Sequence, residues 1–345
     1  MKRRTFITSA AATLACCGSG IKLKANEVGN LPIIFPEALK KGDTIGVIAP
    51  GTAVTDPDDI GRAEEVLSYF GLKMKLGKYV SSGNGYKTRP IAQRLDDIHS
   101  FFEDKNISGI FCIRGGYGCG RLLDKIDYEL IRNNPKVFLG YSDITAMHLA
   151  INKFSGLATF HGPVMLSAFT QFTADNMHRA IFSAQPMGML NNPDFKSNLR
   201  SSYPVRKIKG GKASGVLIGG NLSLIASLMG TPYQIEAKDK ILFLEDVSEE
   251  PFRIDRMLNQ LRLGGIFNEV KGIVFGRCAD CETKSSVWDL SLGEVLDSYF
   301  SVLDIPVIYG LMIGHTQDQL TLPIGVRAEL DADAGTLFIA EQGVR

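Results

Sequence analysis

The sequence has 345 residues, 45% of them hydrophobic, and its 38 basic and 37 acidic residues leave a formal charge of +1. This length and composition exclude a disordered chain and suffice for two folded domains. A chain so close to neutral has no long-range field to attract a polyanion, which argues against nucleic acid as a partner and favours small-molecule or peptide ligands.

The first 25 residues have the features of a twin-arginine export signal. Residues 2–7 (KRRTFI) form a basic head, and residues 9–17 form a short apolar run rich in small residues. Because the run is too short for a permanent membrane span, we expect cleavage after Ala25 and a mature protein in the periplasm. Cys16 and Cys17 match a lipid-attachment site loosely, so lipoprotein anchoring is the less favoured alternative.

The pattern that follows is typical of a parallel α/β sheet. Residues 43–51 form an apolar stretch closed by a Pro-Gly pair, which predicts a buried strand. Residues 58–70 and 92–103 repeat apolar residues at helical spacing, and residues 107–113 predict another strand. Strands that alternate with helices open a parallel, Rossmann-like sheet.

A glycine-rich loop, RGGYGCG at residues 114–120, comes directly after that strand. Glycines let a backbone approach a ligand closely, and a helix predicted at residues 121–126 would direct its N-terminus towards an anion. A dinucleotide site is one interpretation, but the G-x-G-x-x-G spacing is absent. The others are an oxyanion hole beside the next turn of the sheet and a tight turn that binds no ligand.

Residues 137–145 (VFLGYSDIT) predict a strand, a sharp turn and the approach to a helix at residues 146–154. This arrangement exposes the hydroxyl of Ser142 at the carboxyl end of a strand, where open α/β sheets place their chemistry. The simpler interpretation is that Ser142 or Asp143 caps the helix. The nucleophile-elbow pattern G-x-S-x-G is incomplete, because Ile144 occupies its second glycine position.

The apolar pattern weakens over residues 171–210, which predicts a linker between an N-terminal domain (residues 26–170) and a C-terminal domain (residues 211–345). The C-terminal half again alternates between strands and helices and ends in a hairpin. Its strands are predicted at residues 215–222, 241–244, 270–276 and 306–311, its helices at 223–229, 253–263 and 292–303, and its hairpin turn at 333–335. The predicted fold class is α/β, with a parallel-sheet, Rossmann-like domain followed by an α/β domain that has a β-rich closing segment.

A serine needs a base to act as a nucleophile, and the base needs an acceptor that fixes its tautomer. His161 and His315 lie in glycine-flanked loops after predicted strands, whereas the other three histidines lie in helical patterns. Glu245 ends a wholly apolar strand, where a carboxylate needs a partner, although a salt bridge or a helix cap would also satisfy it. Ser142, Glu245 and His315 follow the order serine, acid, histidine that α/β hydrolases also use.

Four cysteines follow the signal: Cys112, Cys119, Cys278 and Cys281. A metal site would need a second closely spaced pair, so we expect cysteines without a metal role. A local Cys278–Cys281 disulfide stays open in an oxidising compartment.

Several motifs together resemble those of the LD-carboxypeptidases, a family that includes the microcin C self-immunity peptidases. Each motif is weak alone, whereas the joint match is specific and spans nearly all of the mature sequence. The motifs are RGGYG at 114–118, GYSDIT at 140–145, FHGP at 160–163, GGNL at 219–222, LEDV at 244–247, GHT at 314–316 and LPIG at 322–325.

The resemblance implies a two-domain serine peptidase with Ser142 as nucleophile, His315 as general base and Glu245 orienting the histidine. No metal or organic cofactor is implied. The family's usual substrate is the peptide stem of murein, which is cut between an L-configured centre of a diamino acid and a terminal D-alanine.

The resemblance also implies an oxyanion hole, formed by the backbone amide of Asp143 and that of Gly115 or Gly116. The matching motifs contain further residues that we expect to bind substrate. These candidates are Arg114, Tyr117, His161 and Asn221.

We therefore expect a murein peptide as the partner, no nucleic acid and no stable membrane span, while the sequence leaves a homodimer open. Within the enzyme class the alternative is a hydrolase of peptide-nucleotide conjugates of the microcin C type. A wall-binding homologue without catalysis is another alternative. A nucleotide-dependent oxidoreductase would rest on the glycine loop alone.

Overall fold

Two β-sheets and their flanking helices make up the part of the chain that the computed structural model describes, residues 31–83, 90–194, 203–282 and 290–345. Residues Leu31–Arg345 cluster as one compact unit. The export signal predicted at residues 1–25 lies outside the described residues.

The strands and helices have the following bounds. Strands lie at Thr44–Ile48 (β1), Lys73–Leu76 (β2), Gly109–Cys112 (β3), Val137–Gly140 (β4), Thr159–His161 (β5), Gly188–Leu190 (β6), Arg206–Lys209 (β7), Lys212–Asn221 (β8), Lys240–Glu245 (β9), Gly272–Gly276 (β10), Val307–Leu311 (β11), Leu322–Ile324 (β12), Arg327–Asp331 (β13) and Thr336–Ile339 (β14). α-Helices lie at Pro57–Tyr69 (α1), Ile91–Glu103 (α2), Tyr128–Asn133 (α3), Thr145–Ser155 (α4), Gln171–Ile181 (α5), Leu222–Leu228 (α6), Pro251–Leu263 (α7), Ile266–Glu269 (α8) and Leu292–Phe300 (α9). Among these described helices, none combines the length and the apolar character needed to cross a membrane.

The first sheet has the strand order β12-β5-β4-β3-β1-β2. Strands β1 to β5 pair in parallel, and β12 is antiparallel to β5. Every residue of β3 and of β4 is buried, which is typical of central parallel strands covered by helices on both faces. The predicted α/β class is confirmed.

The second sheet has the order β6-β14-β13-β8-β9-β10-β11-β7. Its centre, β8 to β11, is parallel, and the outer strands are antiparallel to their neighbours. Strands β13 and β14 form the predicted closing hairpin. This half is therefore also α/β, with a β-rich final segment.

The range predicted as a linker, residues 171–210, contains regular structure. It includes α5, then β6, which pairs with β14, and β7, which pairs with β11. These strands are short and their pairing partners lie far along the chain, so the local sequence pattern is weak. The division of the chain at residues 170 and 210 stays a prediction.

The helix predicted at residues 121–126 is absent, and two short 3₁₀ turns, Cys119–Arg121 and Leu123–Lys125, take its place. The segment is bounded by Gly118 in the left-handed region (φ 119°) and by Ile126 in an extended conformation, so helical backbone neither enters nor leaves it. The glycine-rich loop therefore does not lead into an α-helix whose N-terminus could hold an anion.

A disulfide joins Cys278 and Cys281 in the loop after β10. Between them, Ala279 forms an isolated bridge with Val247, and its carbonyl accepts a hydrogen bond from the amide of Ser248 at 2.8 Å. The disulfide loop is thus attached to the segment that directly follows β9.

Candidate active site

The predicted catalytic side chains lie at or just after the carboxyl ends of three strands. One strand belongs to the parallel part of the first sheet and two to the parallel part of the second. Ser142 comes two residues after β4, Glu245 is the last residue of β9, and His315 comes four residues after β11. Carboxyl ends of parallel strands are where α/β proteins place their ligands. The two sheets therefore contribute to one site.

Ser142 occupies a strained turn between β4 and α4. Its φ is +67°, a left-handed conformation that is uncommon for residues other than glycine. It begins a 3₁₀ turn, Ser142–Ile144, that continues into α4. Backbone strain of this kind typically costs about 1–3 kcal/mol and persists at functional sites where the surroundings enforce it. The sharp turn predicted from the sequence is present.

A hydrogen-bonded chain connects the three side chains. The Nε2 atom of His315 lies 3.0 Å from the Oγ of Ser142, and its Nδ1 lies 2.8 Å from Oε2 of Glu245. When Nδ1 donates its proton to the carboxylate, Nε2 is left as an acceptor for the serine hydroxyl. This geometry allows the imidazole to take a proton from Ser142.

Glu245 has no exposed side-chain surface, and a glycine makes room for it. Gly314 has φ +87°, and a Cβ built on it would lie 2.0 Å from Oε2 of Glu245. The side chain of Gln319 donates a hydrogen bond to the Gly314 carbonyl at 2.8 Å. These contacts fix the loop that carries His315.

The surroundings of His315 favour its protonated form. Burial lowers the pKa of His315, but the hydrogen bond and the charge of Glu245, together with the charge of Asp246, outweigh burial and raise that pKa above 6.5. The ring of Tyr141 packs against the imidazole with 4.8 Å between the ring centroids. Burial and the charge of Glu245 raise the pKa of Asp246 to about 6.

The glycine-rich loop lies against Ser142. A Cβ built on Gly115 would lie 3.3 Å from Oγ of Ser142, so the loop backbone passes directly beside the hydroxyl. The Gly115 carbonyl accepts a hydrogen bond from the amide of Thr52 at 3.2 Å, and Oγ1 of Thr52 accepts one from the amide of Tyr117 at 3.1 Å. Within the described residues, no hydrogen bond is made by the backbone amides of Gly115 and Gly116.

Asp143 fixes the same loop from the serine side. Its Oδ2 accepts a hydrogen bond from the amide of Cys119 at 2.9 Å, and its side chain is buried. The backbone amide of Asp143 directly follows Ser142 in the chain. Asp143 thereby connects the Ser142 turn to the glycine-rich loop.

Arg94 also supports the loop, and the sequence reasoning missed it. The residue is 1% exposed, and its Nη1 donates to the carbonyls of Pro50 at 2.6 Å and Gly118 at 3.0 Å. The available signal was its position on the buried side of α2, four residues before Ile98. An arginine at such a position needs polar partners inside the protein.

The four predicted substrate-binding residues fall into two groups. Arg114 is half-buried and Tyr117 is 56% exposed, and both lie in the loop whose Gly115 passes beside Ser142. His161 is fully buried behind Tyr141, and burial lowers its pKa well below 6.5. This burial corrects the expectation that His161 contacts substrate.

Asn221 has a structural role that corrects its assignment as a substrate contact. It is 3% exposed, its side-chain oxygen accepts the amide of Leu224 at 3.2 Å, and its side-chain nitrogen donates to Asp246 at 3.1 Å. The oxygen thus caps the N-terminus of α6, and the nitrogen holds the carboxylate of Asp246.

Among the described residues, no group of three or more His, Cys, Asp or Glu side chains is placed to hold a metal ion. The groups that the hydrogen bonds bring together are a serine hydroxyl, an imidazole and a carboxylate.

Comparisons with known proteins give concordant matches. The family model described as the LD-carboxypeptidase N-terminal domain matches residues 45–162, and the model described as the LD-carboxypeptidase C-terminal domain matches residues 214–330. A "Probable murein peptide carboxypeptidase" of Bacillus subtilis is 41% identical over 309 residues, which cover 90% of this chain and 95% of that protein. A "Murein tetrapeptide carboxypeptidase" of Pseudomonas aeruginosa is 30% identical over 84% of this chain and 93% of that protein.

The fold also matches a solved structure. The apo structure of the microcin C7 self immunity protein MccF superposes with a TM-score of 0.81 at 28% identity, and the match covers 90% of this chain and all of that one.

Proposed function

The chain belongs to the LD-carboxypeptidase family, and we propose that it is a serine carboxypeptidase that cleaves the bond before the terminal D-alanine of murein stem tetrapeptides. The observation that carries this proposal is the chain of hydrogen bonds from Ser142 through His315 to Glu245. The names of the Bacillus and Pseudomonas relatives support the choice of substrate.

In the proposed acylation step, Oγ of Ser142 attacks the carbonyl carbon that precedes D-alanine, and Nε2 of His315 takes the hydroxyl proton. Glu245 stabilises the imidazolium that forms and keeps its ring oriented. The tetrahedral intermediate then collapses, the C–N bond breaks, and His315 gives its proton to the departing amine of D-alanine. The remaining peptide is an ester of Ser142.

Water completes the cycle. His315, neutral again, removes a proton from a water molecule that attacks the ester carbonyl. Collapse of the second intermediate returns the proton from His315 to Oγ of Ser142 and releases the shortened peptide as a carboxylic acid, which loses its proton to the solvent. Each step uses groups of the chain and water alone.

The negative oxygen of both intermediates needs hydrogen-bond donors. We assign this role to the backbone amides of Asp143 and of Gly115 or Gly116, because Gly115 passes beside the Ser142 hydroxyl and its amide has no partner within the described residues. Fixed donors of this kind stabilise developing charge strongly, and removal of one typically lowers turnover by about 10² to 10³.

We also propose that the enzyme acts in the periplasm, where murein and its fragments are found. The proposal rests on the basic and apolar segments at residues 2–7 and 9–17. A fusion of residues 1–30 to a folding-dependent reporter would test it, since a twin-arginine signal exports the folded reporter and an Arg3→Lys/Arg4→Lys variant should not.

The substrate proposal is tested with the purified chain and a small panel of peptides, analysed by mass spectrometry. The panel contains a murein tetrapeptide ending in D-alanine, its L-alanine epimer, and a peptide-nucleotide conjugate of the microcin C type. We expect loss of one alanine from the D-epimer alone. Cleavage of the conjugate with the tetrapeptide left intact would contradict the proposal and favour the activity suggested by the similarity to MccF.

A further inference from the structure

Ser142 and Glu245 belong to different sheets, so some contact between the sheets must set the distances within the site. We infer that Thr145, the first residue of α4, is a positioning residue that fixes the Ser142 turn against the strand that carries Glu245. This inference rests on the proposed function, because it concerns the rate of the same reaction.

Besides the contact of His315 with Ser142, a backbone-to-side-chain hydrogen bond connects the Ser142 turn to the second sheet. Thr145 is fully buried, and its Oγ1 accepts a hydrogen bond from the backbone amide of Asn221 at 3.0 Å. In the pairing of β8 with β9, Asn221 lies directly opposite Glu245. Thr145 is three residues after Ser142, so this bond connects the nucleophile's turn with the strand pair that holds the carboxylate.

The backbone of β8 at Gly220 also packs closely against the Thr145 side chain. Gly220 has φ +146°, and a Cβ built there would lie 2.5 Å from Cγ2 and 2.6 Å from Oγ1 of Thr145. A side chain at position 220 would separate the turn from β8. The backbone of β8 therefore packs directly on Thr145, and both its methyl and its hydroxyl are held.

Reaction rates are sensitive to small displacements of the reacting groups, so the position of Thr145 should affect catalysis. Ser142 has a left-handed backbone that its surroundings must maintain, and its hydroxyl is aligned on His315 at 3.0 Å. A misplacement of about 1 Å can lower turnover about 10²-fold. Loss of the Thr145 hydroxyl should therefore lower kcat, whereas KM should change little because Thr145 is buried away from substrate.

The test compares two variants in a D-alanine release assay. Thr145→Val keeps the shape of the side chain and removes the acceptor, and Thr145→Ser keeps the acceptor and removes the methyl. We expect kcat of T145V to fall about 10- to 100-fold with KM within about twofold of the parent, and T145S to keep kcat within about threefold. If T145V is insoluble, Thr145→Ala removes the same acceptor with less bulk beside Gly220.

Ser155→Ala is the matched control. Ser155 is fully buried at the other end of α4, and its Oγ donates to the Ile151 carbonyl at 2.6 Å. Its loss removes a buried hydroxyl far from Ser142, so S155A should be less stable but keep the parent kcat.

The outcomes are distinct. Parent-like kcat in T145V, or an equal loss in T145V and T145S, would overturn the positioning role. A loss in S155A as large as in T145V would also overturn it, because the effect would then be one of general stability. An unsubstituted chain that releases no D-alanine would contradict the proposed function itself, and this inference with it.

Discussion

The Nε2 atom of His315 lies 3.0 Å from Oγ of Ser142, although the two residues are 173 positions apart in the chain. Ser142 follows a strand of the first sheet and His315 follows a strand of the second, so this distance exists only because the sheets pack as they do. Changes that disturb the packing of one sheet on the other should therefore reduce activity even when no reacting group is altered.

The pH dependence of kcat/KM should report the titration of His315. The base must be neutral to accept the serine proton, and the surroundings raise the pKa of His315 above 6.5. Activity should therefore rise with pH through a midpoint above 6.5, measured as kcat/KM for D-alanine release between pH 5 and 9. A midpoint below 6.5 would contradict the assignment of His315 as the base.

Replacement of Glu245 by Gln should lower both the rate and that midpoint. The neutral side-chain amide of glutamine cannot stabilise the imidazolium of His315, and removal of the carboxylate charge lowers the pKa of His315. We expect kcat to fall by roughly 10³- to 10⁴-fold, as for other acids that orient a catalytic histidine. As a control, Glu329→Gln, at an exposed position of β13, should leave the rate and the midpoint unchanged. An E245Q variant as active as the parent would contradict a role of Glu245 in the mechanism.

Gly314→Ala should abolish activity, whereas Gly42→Ala should not. Both glycines have similar backbone conformations, φ +87° and +92°, so both substitutions introduce comparable strain. The added Cβ at position 314 would lie 2.0 Å from Glu245, whereas nothing lies within 4 Å of one at position 42. Kinetics and thermal unfolding of both variants distinguish the displacement of Glu245 from the effect of backbone strain. Equal activity in the two variants would contradict the close contact between position 314 and Glu245.

Stability should decrease in acid because of two buried histidines. Burial lowers the pKa of His148 to about 4 and that of His161 well below 6.5. Between pH 4 and 6.5 the unfolded chain then binds more protons than the folded one, so the free energy of unfolding rises with pH across this window. His148 alone should contribute on the order of 3 kcal/mol, fully present above pH 6.5 and lost towards pH 4.

Urea unfolding at several pH values measures this dependence. His148→Gln, which can still donate a hydrogen bond to the Gly140 carbonyl but does not titrate, should reduce the slope of the curve and leave the part that His161 contributes. His178→Gln, at an exposed position of α5, should not. A parent curve that is flat from pH 6.5 to 4.5 would show that these histidines are not held neutral by burial.

The sequence predicted those parts of the site that depend on local pattern. Two apolar runs are visible in the sequence, one followed by Gly140-Tyr141-Ser142 and one ending in Glu245, so each has a polar residue near its carboxyl end. A parallel sheet places such strand ends together. The motif resemblance then selected His315 over His161, which has a similar glycine-flanked context. The family and the α/β class were predicted correctly on this basis.

Features that depend on long-range packing were not predictable. Strand β12 joins the first sheet although its neighbours in sequence belong to the second, and no local pattern specifies this pairing. The support that Arg94 gives to the glycine-rich loop, and the space that Gly314 leaves for Glu245, depend on groups brought together from distant segments. Burial of His161 likewise depends on Tyr141 and Phe243 covering it.

The most direct test of the central claim is D-alanine release from a murein tetrapeptide by the Ser142→Ala variant. If Ser142 forms the covalent ester, the variant should retain its fold, as judged by thermal unfolding, and lose at least about 10⁴-fold in kcat. The exposed Ser227→Ala variant, prepared alongside, should keep the parent rate. A folded Ser142→Ala protein that releases D-alanine at the parent rate would contradict the proposed serine mechanism.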